Sequence, residues 1–188
     1  MKNNHTWVIC AYGESEFLEA CILSLQAQTL PSKIICYSST PLDSIKQLCQ
    51  KYGIPFYTKE GGGIGKDWNN ALSFVETSYA TIAHQDDYYE PTYLEAVMQK
   101  IEQSKDILIA YTDYFEEKNG VKIPANTNLK IKTLMLKTLN LMPSSRFWRN
   151  RVLAFGNPIS CPAVTYNLET LRDFRFDEEM RVSLDWYA

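Results

Sequence analysis

The chain has 188 residues, 45% of them hydrophobic and 22% charged, and a formal net charge of −3. That length suits one compact domain, or one domain with a small lobe, and it can bury a sizeable core. The composition is ordinary for a soluble globular protein, no apolar run reaches the length of a membrane helix, and MKNNHTWVICAY lacks the residue order of a secretory leader, so a cytoplasmic protein is expected.

Net charge conceals an asymmetry. Residues 118–168 carry eight basic side chains (Lys118, Lys122, Lys130, Lys132, Lys137, Arg146, Arg149 and Arg151) and no acid, which leaves 11 basic and 22 acidic residues elsewhere. Such a segment either docks on the acidic part of its own chain or meets an anion, a phosphate-bearing ligand or an anionic membrane surface. The five cysteines, Cys10, Cys21, Cys36, Cys49 and Cys161, form no C-x-x-C pair and mostly occupy apolar positions. Buried free thiols in a reducing compartment follow.

Along the chain, the run from Trp7 to Ala11 is continuously apolar, as in a strand covered on both faces. Phe17, Leu18, Cys21, Ile22 and Leu25 recur at helical spacing behind an acidic first turn. Ile34, Ile35, Cys36 and Tyr37 give a second strand, and Thr40-Pro41-Leu42-Asp43 reads as the cap of a second helix through Ile45, Leu48, Cys49 and Tyr52. IPFYT at 54–58 is a third strand, Trp68, Ala71, Leu72 and Val75 a third helix face, and YATIAH a fourth strand. Leu94, Val97, Met98 and Ile101 make a fourth helix, and DILIAYTDYF, from Asp106, a fifth strand. This alternation predicts a mostly parallel sheet with helices on both faces. Beyond Phe115 the rhythm changes: LKIKTLMLKTLNLM shows no clean helical period, and SCPAVTYNL is a candidate later strand. A soft boundary falls near residue 116.

Ligands of open α/β sheets bind beyond the carboxyl ends of the strands. Ala11, Tyr12, Gly13 and Glu14 lie there after the first strand, Ser38, Ser39 and Thr40 after the second, EGGGIGKDWNN after the third, and His84, Gln85, Asp86 and Asp87 after the fourth. The glycine loop fits neither the P-loop pattern, since Glu60 and Asp67 break it, nor the dinucleotide pattern, broken at Lys66. It remains either a turn or a close backbone approach to an anion at a helix start. Asp86 and Asp87 are either a solvated turn or oxygen ligands for Mg²⁺ or Mn²⁺. If the chain is extended there they lie on opposite faces, so that one meets the cation and the other a sugar hydroxyl. With His5 and His84 as the two histidines, a multi-histidine zinc site is excluded.

In order and spacing, WVICAYGESEFLEACILSLQAQTLPSKIICYSS, GGGIGKDWNNAL and TIAHQDDYYEPTYLEAV resemble the nucleotide-sugar-binding half of glycosyltransferase family 2 over residues 6–115. The resemblance implies the GT-A fold, an α/β architecture with a Rossmann-like, mostly parallel sheet flanked by helices and a smaller acceptor-side lobe. Residues 1–115 would be the donor half and 116–188 an incomplete acceptor-side half. The implied activity is inverting transfer of a hexose from a nucleoside-diphosphate sugar, a UDP-sugar first, to a hydroxyl of a sugar or lipid-linked acceptor. Cell-surface polysaccharide or glycolipid synthesis is the implied setting, with Mn²⁺ or Mg²⁺ as cofactor. On the family pattern Ala11, Tyr12, Glu14 and Ser38 flank the base. Gly63 and Asn69 border diphosphate and sugar, Gln85 and Asp86 complete the donor site, and HQDD holds the metal through Asp86, His84 and Asp87.

The chain departs from that pattern at three positions: His84 replaces the first acid of D-x-D, Ser38 an acid, and Trp68 a basic residue. Imidazole also binds Mn²⁺. Near the C-terminus, FRFDEEMRVSLDWYA resembles the family's acceptor stretch, which makes Asp185 the implied general base, with Asp177 and Glu178 as rivals. A nucleotide-sugar-binding module without transfer activity is the alternative. RFWRNR suits either core packing or peripheral contact with the inner face of a membrane. No nucleic-acid partner is expected, because the chain has no aromatic-basic sheet motif.

Overall fold

A computed structural model of the protein describes residues 4–104, 107–118, 120–180 and 184. The predicted alternation is borne out as β1 (His5–Cys10), α1 (Leu18–Gln26), β2 (Lys33–Tyr37), α2 (Asp43–Lys51), β3 (Phe56–Tyr57), α3 (Ile64–Leu72), β4 (Tyr79–His84), α4 (Tyr93–Glu102) and β5 (Ile109–Tyr111). A hairpin, β6 (Glu117–Lys118) and β7 (Val121–Lys122), precedes α5 (Thr127–Leu139) and α6 (Arg146–Leu153), and β8 (Val164–Asn167) closes the series. Six strands form one sheet in the order β3-β2-β1-β4-β8-β5. The β1–β2, β1–β4 and β2–β3 pairs are parallel and β8 runs antiparallel to β4, so the sheet is mostly parallel and 164–167 does return to it.

Alternation along β1 explains why its run is apolar throughout. Trp7 and Ile9 pack with Leu18, Cys21, Ile22 and Leu25 of α1, Ile45 and Cys49 of α2, and Leu94, Val97 and Ile101 of α4. Val8 faces the other way, with Ile35, Tyr37 and Ala80 against Ala71 of α3. Both faces of the sheet are therefore covered, and each such buried side chain contributes roughly 1.5–3 kcal/mol. Among the described residues no helix is long and apolar enough to cross a membrane.

Two expected strands are shorter than read. β3 is an edge strand of two residues rather than 54–58, because Pro55 has no N–H to offer a ladder. β5, at the opposite edge, spans Ile109–Tyr111 rather than the stretch from Asp106; its neighbour β8 has only four residues. Residues 129–142, read as lacking a helical period, lie largely in α5. That helix is apolar on two opposite faces: Leu129, Leu136 and Leu139 are buried, while Ile131 and Leu134 are exposed.

By compactness the chain divides into Met1–Ala110 with Val164–Ala188, and Tyr111–Ala163. In the second unit, Leu136, Leu139 and Val152 form a small core with Tyr111, Trp148 and Ile159 around it. Asn126 caps α5 by accepting from Leu129 N at 2.8 Å, Ser145 caps α6 through Trp148 N, and Trp148 Nε1 donates to Thr138 O at 2.8 Å.

His5, at the start of β1, is fully buried. Its ring nitrogens meet Ser32 Oγ and Thr81 Oγ1, each at 2.9 Å, and Thr81 continues to Thr165 Oγ1 at 2.7 Å, tying β1, β4 and β8 together through side chains. Burial lowers the imidazole pKa to about 3 from the ordinary 6.5. The unfolded chain therefore takes up this proton first, so stability is fully present above pH 6.5 and falls as pH drops toward 3, by up to about 1.4 kcal/mol per pH unit. Urea unfolding between pH 7 and 4.5 should show this loss in the wild type and a shallower one in His5→Gln; equal slopes would remove His5 as its source.

Candidate functional site

β1 sits between β2 and β4, and the chain winds outward from it in both directions. Sheets of this kind bind ligands beyond the carboxyl ends of their strands, which is where the loops leaving β1 and β4 meet. Cys10 and His84 are register partners, so the two strands end side by side.

The first loop is held by its neighbours. Ala11, buried, donates its N–H to Tyr37 O at 2.8 Å. The Gln85 carboxamide takes both backbone groups of Tyr12: Oε1 accepts from Tyr12 N at 3.1 Å, and Nε2 donates to Tyr12 O at 2.8 Å. Gly13, at φ +62°, donates its N–H to Thr40 Oγ1 at 3.0 Å, and Thr40 N donates to the fully buried Ser38 Oγ at 3.1 Å. Thr40 is thus a brace for the crevice rather than the expected cap of α2, whose first turn starts after Leu42 with no side-chain cap. Gln85 and Ser38, singled out as donor contacts, hold the loop from within. What the loop presents outward is the Tyr12 ring, 69% exposed, and Glu14. A flat, rigidly based aromatic is a surface on which a planar base can stack.

The glycine loop ends at the start of α3, with Gly63 at φ +115° immediately before the helix. A Cβ at Gly65 would collide with the backbone carbonyl of Asp177, so the helix and the 176–178 segment touch main chain to main chain. Asn69 fastens the same contact. Its Oδ1 accepts from Phe176 N and its Nδ2 donates to Phe176 O, each at 2.9 Å, with Glu178 Oε1 at 3.1 Å from Nδ2. Asp67 holds the loop after β2, accepting from Ser39 Oγ at 2.9 Å and from Tyr37 Oη at 3.3 Å.

At the end of β4 the chain is not extended. Asp87 N donates to His84 O at 3.2 Å, and this turn gathers His84, Asp86 and Asp87 so that one ligand atom from each lies within 4.8 Å of the others. The premise that the two carboxylates point to opposite faces is therefore corrected. Asp86 is exposed, Asp87 half-buried, and Asp87 Oδ2 lies 3.7 Å from His84 Nδ1. Burial raises the Asp87 pKa, His84 opposes the rise and Asp86 adds to it. Cys21 Sγ donates to His84 O at 3.4 Å, its own pKa pushed up to about 12 by burial and by Asp87 and Asp86.

Trp68, read as a helix-face residue that stands where the family pattern has a basic one, stacks on the His84 ring with centroids 5.6 Å apart and meets Phe176 edge-on at 5.0 Å. His84 Nε2 is buried and has no hydrogen-bond partner among the described residues. A histidine kept for structure normally satisfies both nitrogens. An imidazole and two carboxylates so gathered form a donor set suited to Mn²⁺ or Mg²⁺. Sequence reasoning missed Trp68 in this setting because its spacing fits core packing equally well. Asp185 lies outside the described residues; its rival Asp177 has its Oδ1 engaged by Glu179 N at 2.8 Å, and Glu178 faces Asn69.

Residues 6–162 match the model of glycosyl transferase family 2. Among curated proteins, glycosyltransferase GlyA of Streptococcus pneumoniae is 24% identical over 123 residues, 62% of this chain and 18% of that protein. Staphylococcus aureus TarS, residues 1–349, superposes with a TM-score of 0.70 at 20% identity over 97% of this chain and 52% of its own. The mannosyltransferase PcManGT of Pyrobaculum calidifontis, solved with GDP-Man and Mn²⁺, gives 0.63 at 12% identity over 96% and 49%. Glucosyl-3-phosphoglycerate synthase of Mycobacterium tuberculosis, solved with Mn²⁺, UDP and glucosyl-3-phosphoglycerate, gives 0.62 at 14% over 93% and 60%. The fold is that of the GT-A enzymes, and the chain spans about half the length of the TarS structure and under a fifth of GlyA.

Asn69→Ala removes both bonds to the Phe176 backbone. It should cost about 1–3 kcal/mol in urea unfolding and speed amide exchange at Phe176 about tenfold or more. Unchanged exchange would show that Asn69 does not clamp the segment.

Proposed function

The chain belongs to glycosyl transferase family 2, and on that premise we propose that it carries the donor site of an inverting hexosyltransferase using a UDP-sugar. The observation that carries this reading is the gathering of His84, Asp86 and Asp87 at the end of β4, beside the end of β1. Residues 1–115 serve as the donor half and 116–188 as the acceptor-side half.

The uracil ring stacks on exposed Tyr12 beside Glu14 and Ala11. Gly63, at the N-terminus of α3, brings backbone close to the diphosphate. Asp86, Asp87 and His84 hold a divalent ion, Mn²⁺ or Mg²⁺, which when bound supplies charge stabilisation to the departing diphosphate. Trp68 keeps the His84 ring in place, and Gln85, Ser38 and Asn69 act on the donor indirectly, by fixing the loops that touch it. Asp185 takes the proton of the acceptor hydroxyl as its oxygen bonds the anomeric carbon and the bond to the diphosphate breaks on the opposite face. The acceptor, a sugar or lipid-linked hydroxyl in cell-surface polysaccharide or glycolipid synthesis, follows from the family resemblance. Five unbridged cysteines support a reducing, cytoplasmic location.

A second reading, a nucleotide-sugar-binding module without transfer activity, is favoured by the internal engagement of Ser38, Asn69 and Gln85. Calorimetric titration with UDP and GDP, each with Mn²⁺, Mg²⁺ or chelator, should give metal-dependent UDP binding that Asp86→Ala weakens about 100-fold. Equal affinity in that variant would sink the donor-site assignment. In a UDP-release assay Asp185→Asn should lower turnover about 10²- to 10⁴-fold with UDP affinity kept; UDP binding with no turnover in the wild type selects the binding module.

A further inference from the structure

We propose that the Tyr111–Ala163 unit carries a docking surface for an anionic phospholipid bilayer. The inference is independent of the donor-site reading, because it rests on this unit alone.

Charge comes first. The three acids of the unit, Asp113, Glu116 and Glu117, all precede residue 118, and the sequence from 118 to 163 contains eight basic residues and no acid. Lys132 Nζ turns inward to Tyr114 Oη at 3.1 Å, and Arg149 donates to Pro143 O. Lys130, Lys137, Arg146 and Arg151 are exposed.

Between these cations the unit exposes large apolar side chains that its own core does not use. In α5 the core face is Leu129, Leu136 and Leu139. Helical geometry puts Lys130, Leu134 and Lys137 on the opposite side with Ile131 at its margin, and Leu134 is 65% exposed. Leu141 and Met142, 73% and 56% exposed, continue the chain beyond the helix. α6 adds Phe147, also exposed, with the Arg151 guanidinium 5.3 Å from its ring centroid.

The pattern selects the occupant. The core of a protein interface is depleted in lysine, whereas here Lys130 and Lys137 flank Leu134. A nucleic-acid backbone would match the cations but offers nothing to Ile131, Leu134, Leu141 and Met142. An anionic bilayer matches both: the apolar side chains enter the acyl boundary while the lysine stems lie along it and keep their ammonium groups among the phosphates.

Co-sedimentation of the full chain with vesicles of phosphatidylcholine, alone or mixed with phosphatidylglycerol, tests this. Binding should appear on the mixed vesicles, be at least about tenfold weaker on neutral ones, and weaken in high salt. Lys130→Glu with Lys137→Glu should weaken it about tenfold or more, and Leu134→Ser with Leu141→Ser should weaken it with the charge unchanged. Failure to bind mixed vesicles, or equal binding to both kinds, overturns the proposal. So does wild-type self-association that the leucine pair abolishes without any vesicle binding, which would make the face a contact between copies. UDP titration of the same samples separates the two readings. A chain that binds UDP but no vesicle defeats only this one, and vesicle binding without UDP binding defeats only the donor site.

Discussion

Parallel pairing of β1 with β4, in register from His5–Tyr79 to Cys10–His84, is the constraint on which the site depends. It sets the carboxyl ends of two central strands side by side, so the loop that carries Tyr12 and the turn that carries His84, Asp86 and Asp87 lie next to each other. The pairing is secured at both ends by different means. At the amino end His5, Thr81 and Thr165 join three strands by buried hydrogen bonds, while at the carboxyl end Gln85 reaches across to the backbone of Tyr12.

From this follows a division of labour among polar residues. Those nearest the sheet, Ser38, Thr40, Asp67 and Gln85, satisfy backbone or side-chain groups of neighbouring loops and so tie those loops together. Groups one step further out, the Tyr12 ring and the Asp86 carboxylate, are exposed. A buried polar group left unpaired is costly, which is why the inner residues are paired; among the described residues His84 Nε2 and Trp7 Nε1 are buried without a partner. Trp68 covers the His84 ring with an apolar face and links it to Phe176, so the cluster of His84, Asp86 and Asp87 and the 176–178 segment share one aromatic contact.

Much of the architecture was legible in the sequence because it depends on period. Continuous apolar runs marked β1, β2 and β4, and helical spacing marked α1 to α4, since a strand buried on both faces and a helix buried on one leave different patterns. α5 escaped for the same reason in reverse: Leu134, between Lys130 and Lys137, interrupts the polar side that would mark the turn of the helix. Edge strands β3 and β5 were over-extended, because a residue's β-propensity does not reveal whether a neighbouring strand lies alongside it.

By itself the sequence determined the α/β class, the order of the elements, and which four loops gather beyond the strand ends, His84, Asp86 and Asp87 among them. All of these follow from local pattern and from the rule that parallel strands share one carboxyl edge. Only the tertiary structure decided what each residue there does. That Gln85 and Ser38 bond to groups of the neighbouring loops, that Asn69 clamps a backbone 107 residues away, and that a turn rather than an extended chain unites the two carboxylates are questions of distance between segments. No spacing along the chain encodes the choice between a hydrogen bond made inward and one left for a ligand; it is fixed by which groups the packed elements bring within about 3 Å.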